Sequence, residues 1–303
     1  MIKKVCPLKF IALLMLLFAP LIFSQDVKIL YSVSMPKPSN HLFEVEINVQ
    51  NVKSDSTLDF VLPVWRSGRY VIFNFASGVQ EFSANSSTGK KLKWHKTDKS
   101  TWHVEASGEN NVIVNYKVYA NDFSIRTRGL NDEDAFIDPS AVFMYIEKYR
   151  RITLELKVIP YEGWHVTTGL DETGENTFTA RDYDYFADCP VIIGTQKDFE
   201  FNVEGKKHIM SLTGNGNYNA DTVIRDMTKI VKENSDFWGE LPYESFTFFF
   251  RLTTQDYGGT EHINSFIINA PPLLFNNREK YYEFLSVCSH EFFHTWNVKR
   301  LRP

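Results

Sequence analysis

Long apolar runs are scarce in this 303-residue sequence, and so are cysteines. The one extended apolar stretch, Phe10 to Phe23, reads "FIALLMLLFAPLIF": 14 uncharged residues broken by Pro20. A membrane-spanning helix needs roughly 20, so the run is read as a secretory leader rather than an anchor. Lys3, Lys4 and Lys9 form its basic start and "FSQD" its cleavage region, which places the leader at 1–24. No cysteine stands directly after the run, which argues against a lipid-anchored lipoprotein. Cys6 leaves with the leader; Cys189 and Cys288 are read as buried free thiols, although export would permit them to pair.

A basic stripe is missing too. Removing three lysines from 33 basic residues leaves 30 against 37 acids, a net charge of −7. An exported acidic chain is a poor partner for nucleic acid, and no stable membrane span is expected after the leader is cleaved. No Gly-rich phosphate loop, internal repeat or Ser-His-Asp ordering stands out. The expected location is the periplasm or the extracellular space, and oligomeric state is not legible.

What is present is strand-like alternation. "HLFEVEINV" (41–49), "TLDFVLPVW" (57–65), "RYVIFNFA" (69–76), "NVIVNYKVYA" (111–120) and "RITLELKVIP" (151–160) carry β-branched and aromatic residues at period two. Short strands with no clear helix before about residue 220 predict an antiparallel β-sandwich or saddle-like sheet over 25–208. The texture then changes. Val223, Met227, Ile230, Val231 and Phe237 fall at helical spacing, with Gly239 past the end. A strongly apolar strand "SFTFFFRLT" (245–253) follows, and 276–296 reads as one helix capped by Asn277. The fold class is therefore α+β, with a second domain over 209–303.

Two constellations carry chemistry. His290-Glu291-Phe292-Phe293-His294 has the HExxH form. Residues i and i+4 share one helix face, so His290 and His294 can hold one Zn2+, with Glu291 beside them as general base. The bland alternative is a solvated helix face. The second is "DYGGTEH" (256–262). Gly258 and Gly259 permit close approach of another backbone, such as an extended peptide, and Glu261 could meet a positive charge. Its alternative is an ordinary turn. "NDEDAFID" (131–138) is read as a solvated acidic turn, and "RDYDYFADCP" (181–190) as a connecting loop.

"GGTEH" about 30 residues before "HEFFHTWNVKRLRP" resembles the glycyl aminopeptidase family of gluzincin metallopeptidases (peptidase family sixty-one, often PDZ-containing). "LPVWRSGRY", "SIRTRGLNDEDAFIDPSAVFMY" and "DCPVIIG" resemble its N-terminal β domain, with Ser67 where the family usually has proline. The resemblance spans roughly 27–303. It implies a β domain followed by the first part of a thermolysin-like zinc-peptidase domain. It further implies His290 and His294 as zinc ligands, Glu291 as base and Glu261 as the anchor of the substrate's α-amine. Gly258 and Gly259 would shape the adjoining strand, and His262 would either touch substrate or make a structural hydrogen bond. The implied substrates are peptides with a free N-terminus, glycine or alanine first. It also implies a third ligand, a glutamate beyond Pro303, because "TWNVKRLRP" has no Asp, Glu, His or Cys. The chain is accordingly expected to be weak or inactive alone. The competing expectation is a non-catalytic secreted β-domain binding protein with a degenerate peptidase remnant.

Overall fold

The computed structural model of the protein describes residues 26–52, 55–255 and 257–301; the expected leader at 1–24 lies outside them. Alternation works as the sequence implies. Along Leu42–Gln50 the side chains of Phe43, Val45, Ile47 and Val49 are buried while Glu44 and Glu46 face solvent. This strand lies inside a seven-stranded sheet in the order Asp171–Gly174, Thr177–Ala180, Leu154–Ile159, Lys28–Ser34, Leu42–Gln50, Asn111–Tyr119, Val79–Ser86. All its pairs are antiparallel except Lys28–Ser34 with Leu154–Ile159. A three-stranded sheet shares its core through Leu58, Phe60, Trp102 and Val104. A further five-stranded sheet includes Arg128–Leu130, Asp134–Ile137 and Val191–Gly194.

One expected strand is not formed. Residues 69–74 take no strand and Phe75–Gly78 is a 3-10 turn. Tyr70 is 99% and Ile72 78% exposed, so the alternating pattern meets the core only from Phe73 onward.

The second domain is a five-stranded sheet in the order Lys197–Val203, Lys206–Thr213, Ser245–Leu252, Ser265–Ala270, Gly258–Glu261. The first two strands pair here, so the division falls between Gly194 and Lys197 rather than at 208/209. Alternation predicts a strand but not the sheet it joins, which is why the sequence placed the division later. Ser245–Leu252 is central and parallel to both neighbours, hence its unbroken apolar run.

Two helices cover one face. Ala220–Trp238 begins at Asn219, whose side chain accepts from Thr222 N–H (2.9 Å), and ends at Gly239 with φ 80°. Val223, Met227 and Val231 are buried beneath it, whereas Phe237, expected with them, is 75% exposed on the last turn. Arg278–Phe293 begins at Asn277, which accepts from Lys280 N–H (3.1 Å). Its Phe284, Cys288 and Phe292 meet Phe246, Phe248 and Phe250 of the central strand.

The next residue in register, Phe249, faces the other way. With Ile267 it joins Ile125, Phe136 and Ile192 of the first domain in a buried apolar junction. Cys189 and Cys288 are free, buried thiols.

Candidate active site

The Arg278–Phe293 helix delivers its chemistry at its C-terminal end. His290 and His294 turn their Nε2 atoms toward each other at 3.2 Å. Two imidazoles on one tetrahedral zinc, at about 2.0–2.1 Å from the metal, stand about 3.3 Å apart. The donor pair is thus spaced as zinc requires. His294 Nδ1 lies 2.7 Å from the Asn297 carbonyl; donating that proton leaves Nε2 as the ligating atom. Such second contacts fix the ring as well as its tautomer.

Glu291, between them in sequence, points toward the edge strand Gly258–Glu261 and is 7% exposed. A Cβ on Gly259 would lie 2.6 Å from Glu291 Cγ and Cδ, so any side chain there must displace Glu291. The side chain that closely approaches this position is that of Glu291. Gly258 has φ 151°, in the range that favours glycine. Burial, and then the nearby charge of Glu261, push the Glu291 carboxyl up to about 7, against the opposing pull of Arg126.

Glu261 closes the group: ligand atoms of Glu261, Glu291 and His294 all lie within 4.8 Å of one another. From the first domain the Ser67–Gly68 turn backs onto Glu261. A Cβ on Gly68, which has φ 79°, would stand 3.0 Å from Glu261 Oε1. His262 is placed otherwise. It is 1% exposed, and Nδ1 meets Asp188 Oδ1 at 3.2 Å. Of the two roles left open for it, this geometry is that of the structural hydrogen bond.

The sequence singled out none of the residues that the first domain contributes. Arg66 pairs with Asp138 at 2.6 Å, both side chains buried, and its Nη1 reaches Thr260 Oγ1 at 3.4 Å. Arg126 Nη2 donates to the Gly259 carbonyl at 3.0 Å. Asp188 accepts from Lys299 Nζ at 2.7 and 3.0 Å, and Lys299 also reaches Ser67 Oγ at 3.2 Å. The "NDEDAFID" segment is not a solvated turn: Asp138 binds Arg66, and Asp134 binds Arg251 of the central strand at 3.1 Å. "RDYDYFADCP" is more than a connector, since it holds the Tyr183–Ala187 helix and Asp188.

The Peptidase M61 N-terminal domain model matches residues 30–195, and the M61 glycyl aminopeptidase model matches residues 283–303. The chain belongs to the M61 peptidase family. Among solved structures, an aminopeptidase N family protein from Idiomarina loihiensis is similar at TM-score 0.86 and 29% identity, over 91% of this chain and 49% of that one. An M1 zinc metallopeptidase from Deinococcus radiodurans shares the fold at TM-score 0.52 and 13% identity, over 90% of this chain and 64% of that one. The M61 chain thus spans about half the length of the first of these. No curated protein matches it. Among the described residues no helix is long and apolar enough to cross a membrane.

For this M61 chain the donor chemistry fits zinc. Two imidazole nitrogens converge, and carboxylates stand near enough to orient a water or complete a site. The signals that could have revealed Gly68 and Arg126 lay in "LPVWRSGRY" and "SIRTRGL", which marked the family without disclosing that both segments fold onto the edge strand.

Proposed function

We propose that the chain serves a zinc-dependent aminopeptidase that releases small N-terminal residues, glycine and alanine, from peptides. The observation that carries the reading is the placement of Glu261: a carboxylate on an open strand edge, next to Glu291 and His294 and backed by Gly68. Such a group pairs with the α-ammonium of a substrate and so selects chain ends over internal bonds.

His290 and His294 would hold the ion through their Nε2 atoms. When bound there, zinc supplies Lewis-acid polarisation of a carbonyl and acidifies a water. Glu291, with its carboxyl near 7, accepts the proton of the attacking water and returns it to the departing amine. Gly259 keeps that carboxylate against the strand, and Gly68 keeps the space at Glu261 shallow, which supports a small first residue. Two imidazoles alone hold zinc loosely, so turnover by this chain by itself is expected to be weak. Export to the periplasm or medium belongs to the same proposal and rests on the 1–24 pattern.

Zinc titration of the purified chain is the sharper test. His294→Ala should abolish 1:1 binding, while Glu261→Gln should leave it intact and weaken glycyl peptides. If Glu261→Gln lost zinc as fully as His294→Ala, Glu261 would be a ligand and not the amine's partner. Hydrolysis of Gly-p-nitroanilide that ignored chelator would sink the metal reading altogether.

A further inference from the structure

The Gly258–Glu261 strand carries its marks in a fixed order. Glu261 takes the amine in the reading above, and Gly259 lies against Glu291, where the scissile bond must sit. A peptide laid antiparallel along this edge has its first residue at Glu261 and continues past Gly258 and Tyr257. At that end a polar cavity of about 160 Å³ opens between the two domains. Phe123 and Arg126 line it from one side, Gln255, Gly258 and Asn269 from the other.

Two features mark the cavity as built for a ligand. Asn269 is 3% exposed, and its Oδ1 has no hydrogen-bond partner among the described residues. A buried amide oxygen left so costs about 1–3 kcal/mol. Arg126 is half-buried and commits only Nη2, to the Gly259 carbonyl at 3.0 Å; no other acceptor among the described residues takes its remaining N–H groups. A planar guanidinium with free donors is suited to a carboxylate. Asp122, the only acid among the described lining residues, is turned to the Ser124 N–H at 3.1 Å.

We propose that this cavity is the subsite for the leaving-group side of the substrate, where Arg126 pairs with the C-terminal carboxylate of a tripeptide and Asn269 Oδ1 accepts a substrate N–H. The inference rests on the aminopeptidase reading of Glu261. The reach agrees. Three strand steps separate Glu261 from Gly258, about 10 Å at roughly 3.3 Å each, the span of an extended tripeptide.

Calorimetry in the Glu291→Gln background, where peptide stays intact, tests it with Gly-Gly-Gly and its C-terminal amide. The free acid should bind about tenfold more tightly than the amide. Arg126→Gln should bring that ratio to about one, and Arg126→Lys should keep part of it. A folding defect would weaken both peptides equally and leave the ratio unchanged. Glu261→Gln should weaken both while preserving the ratio. Equal affinity for acid and amide in the protein that retains Arg126 overturns the subsite and leaves the amine role of Glu261 standing. N-acetylated Gly-Gly-Gly binding as well as the free peptide overturns the amine role, and no binding of any of the three overturns both.

Discussion

One histidine–carboxylate grouping lies within the second domain and another spans the domain junction, and they are built in opposite ways. At the helix end, His290 is exposed, the two Nε2 atoms face each other, and Glu291 makes no ion pair among the described residues. At the domain junction, His262 is buried, and Asp188 is met by His262 and twice by Lys299. Burial alone would raise the Asp188 carboxyl; Lys299 and His262 outweigh it and hold it below the ordinary carboxylate range. The first grouping concentrates lone pairs and leaves them unspent, which is what a metal and a base require. The second neutralises its charges internally, which is what a junction requires. Residue type does not separate them; internal pairing of charge does, although His262 Nε2 is left without a partner among the described residues.

The comparison breaks most sharply at Glu291. Glu291→Gln should lower Gly-p-nitroanilide turnover at saturating zinc by about 10²-fold or more, with the unfolding midpoint nearly unmoved. A variant of near-normal turnover would place Glu291 with the structural group. Lys299→Met should do the reverse. It leaves Asp188 buried beside His262 alone and should cost about 3–5 kcal/mol in denaturant unfolding, while zinc binding by the refolded protein persists.

A third histidine extends the contrast to pH. His208 is fully buried on the Lys206–Thr213 strand, with Nε2 2.9 Å from Tyr243 Oη and Nδ1 3.0 Å from the Lys206 carbonyl. Burial lowers it from 6.5 to about 4. Because the folded value lies below the unfolded one, its contribution is complete above about pH 6.5 and is lost as pH falls toward 4. The loss amounts to about 3 kcal/mol. His208→Phe should flatten that part of the stability curve; an unchanged slope would show His208 free to charge in the fold. The smallest effect is expected at Gly259→Ala. The added methyl displaces Glu291 and should cost about 1–3 kcal/mol, with turnover falling more than stability, whereas Gly108→Ala, which meets no neighbour, should spare turnover.

How much of the chain its sequence discloses varies from segment to segment for physical reasons. The helix under HExxH was legible because Asn277 caps it and Phe284, Cys288 and Phe292 repeat at its period. The edge strand was half legible: two adjacent glycines signal a close approach, but not that Glu291 makes it. Residues 69–76 alternate as a strand would but form a loop and a 3-10 turn, in which Tyr70 and Ile72 face solvent while Phe75 is buried without strand pairing. The division expected at 208/209 cuts through the paired strands Lys197–Val203 and Lys206–Thr213, since pairing partners are not encoded in a strand's own pattern.

By itself, then, the sequence determined the local periods, the caps and the donor atoms of the site, because these depend on residues within one or two turns of each other. Only the tertiary structure decided that Gly68, Arg66 and Arg126 would stand at that site. They come from turns more than 130 residues away, brought there by the apolar junction of Ile125, Phe136, Ile192, Phe249 and Ile267. No short-range spacing records a contact made by burying two separate sheets against each other.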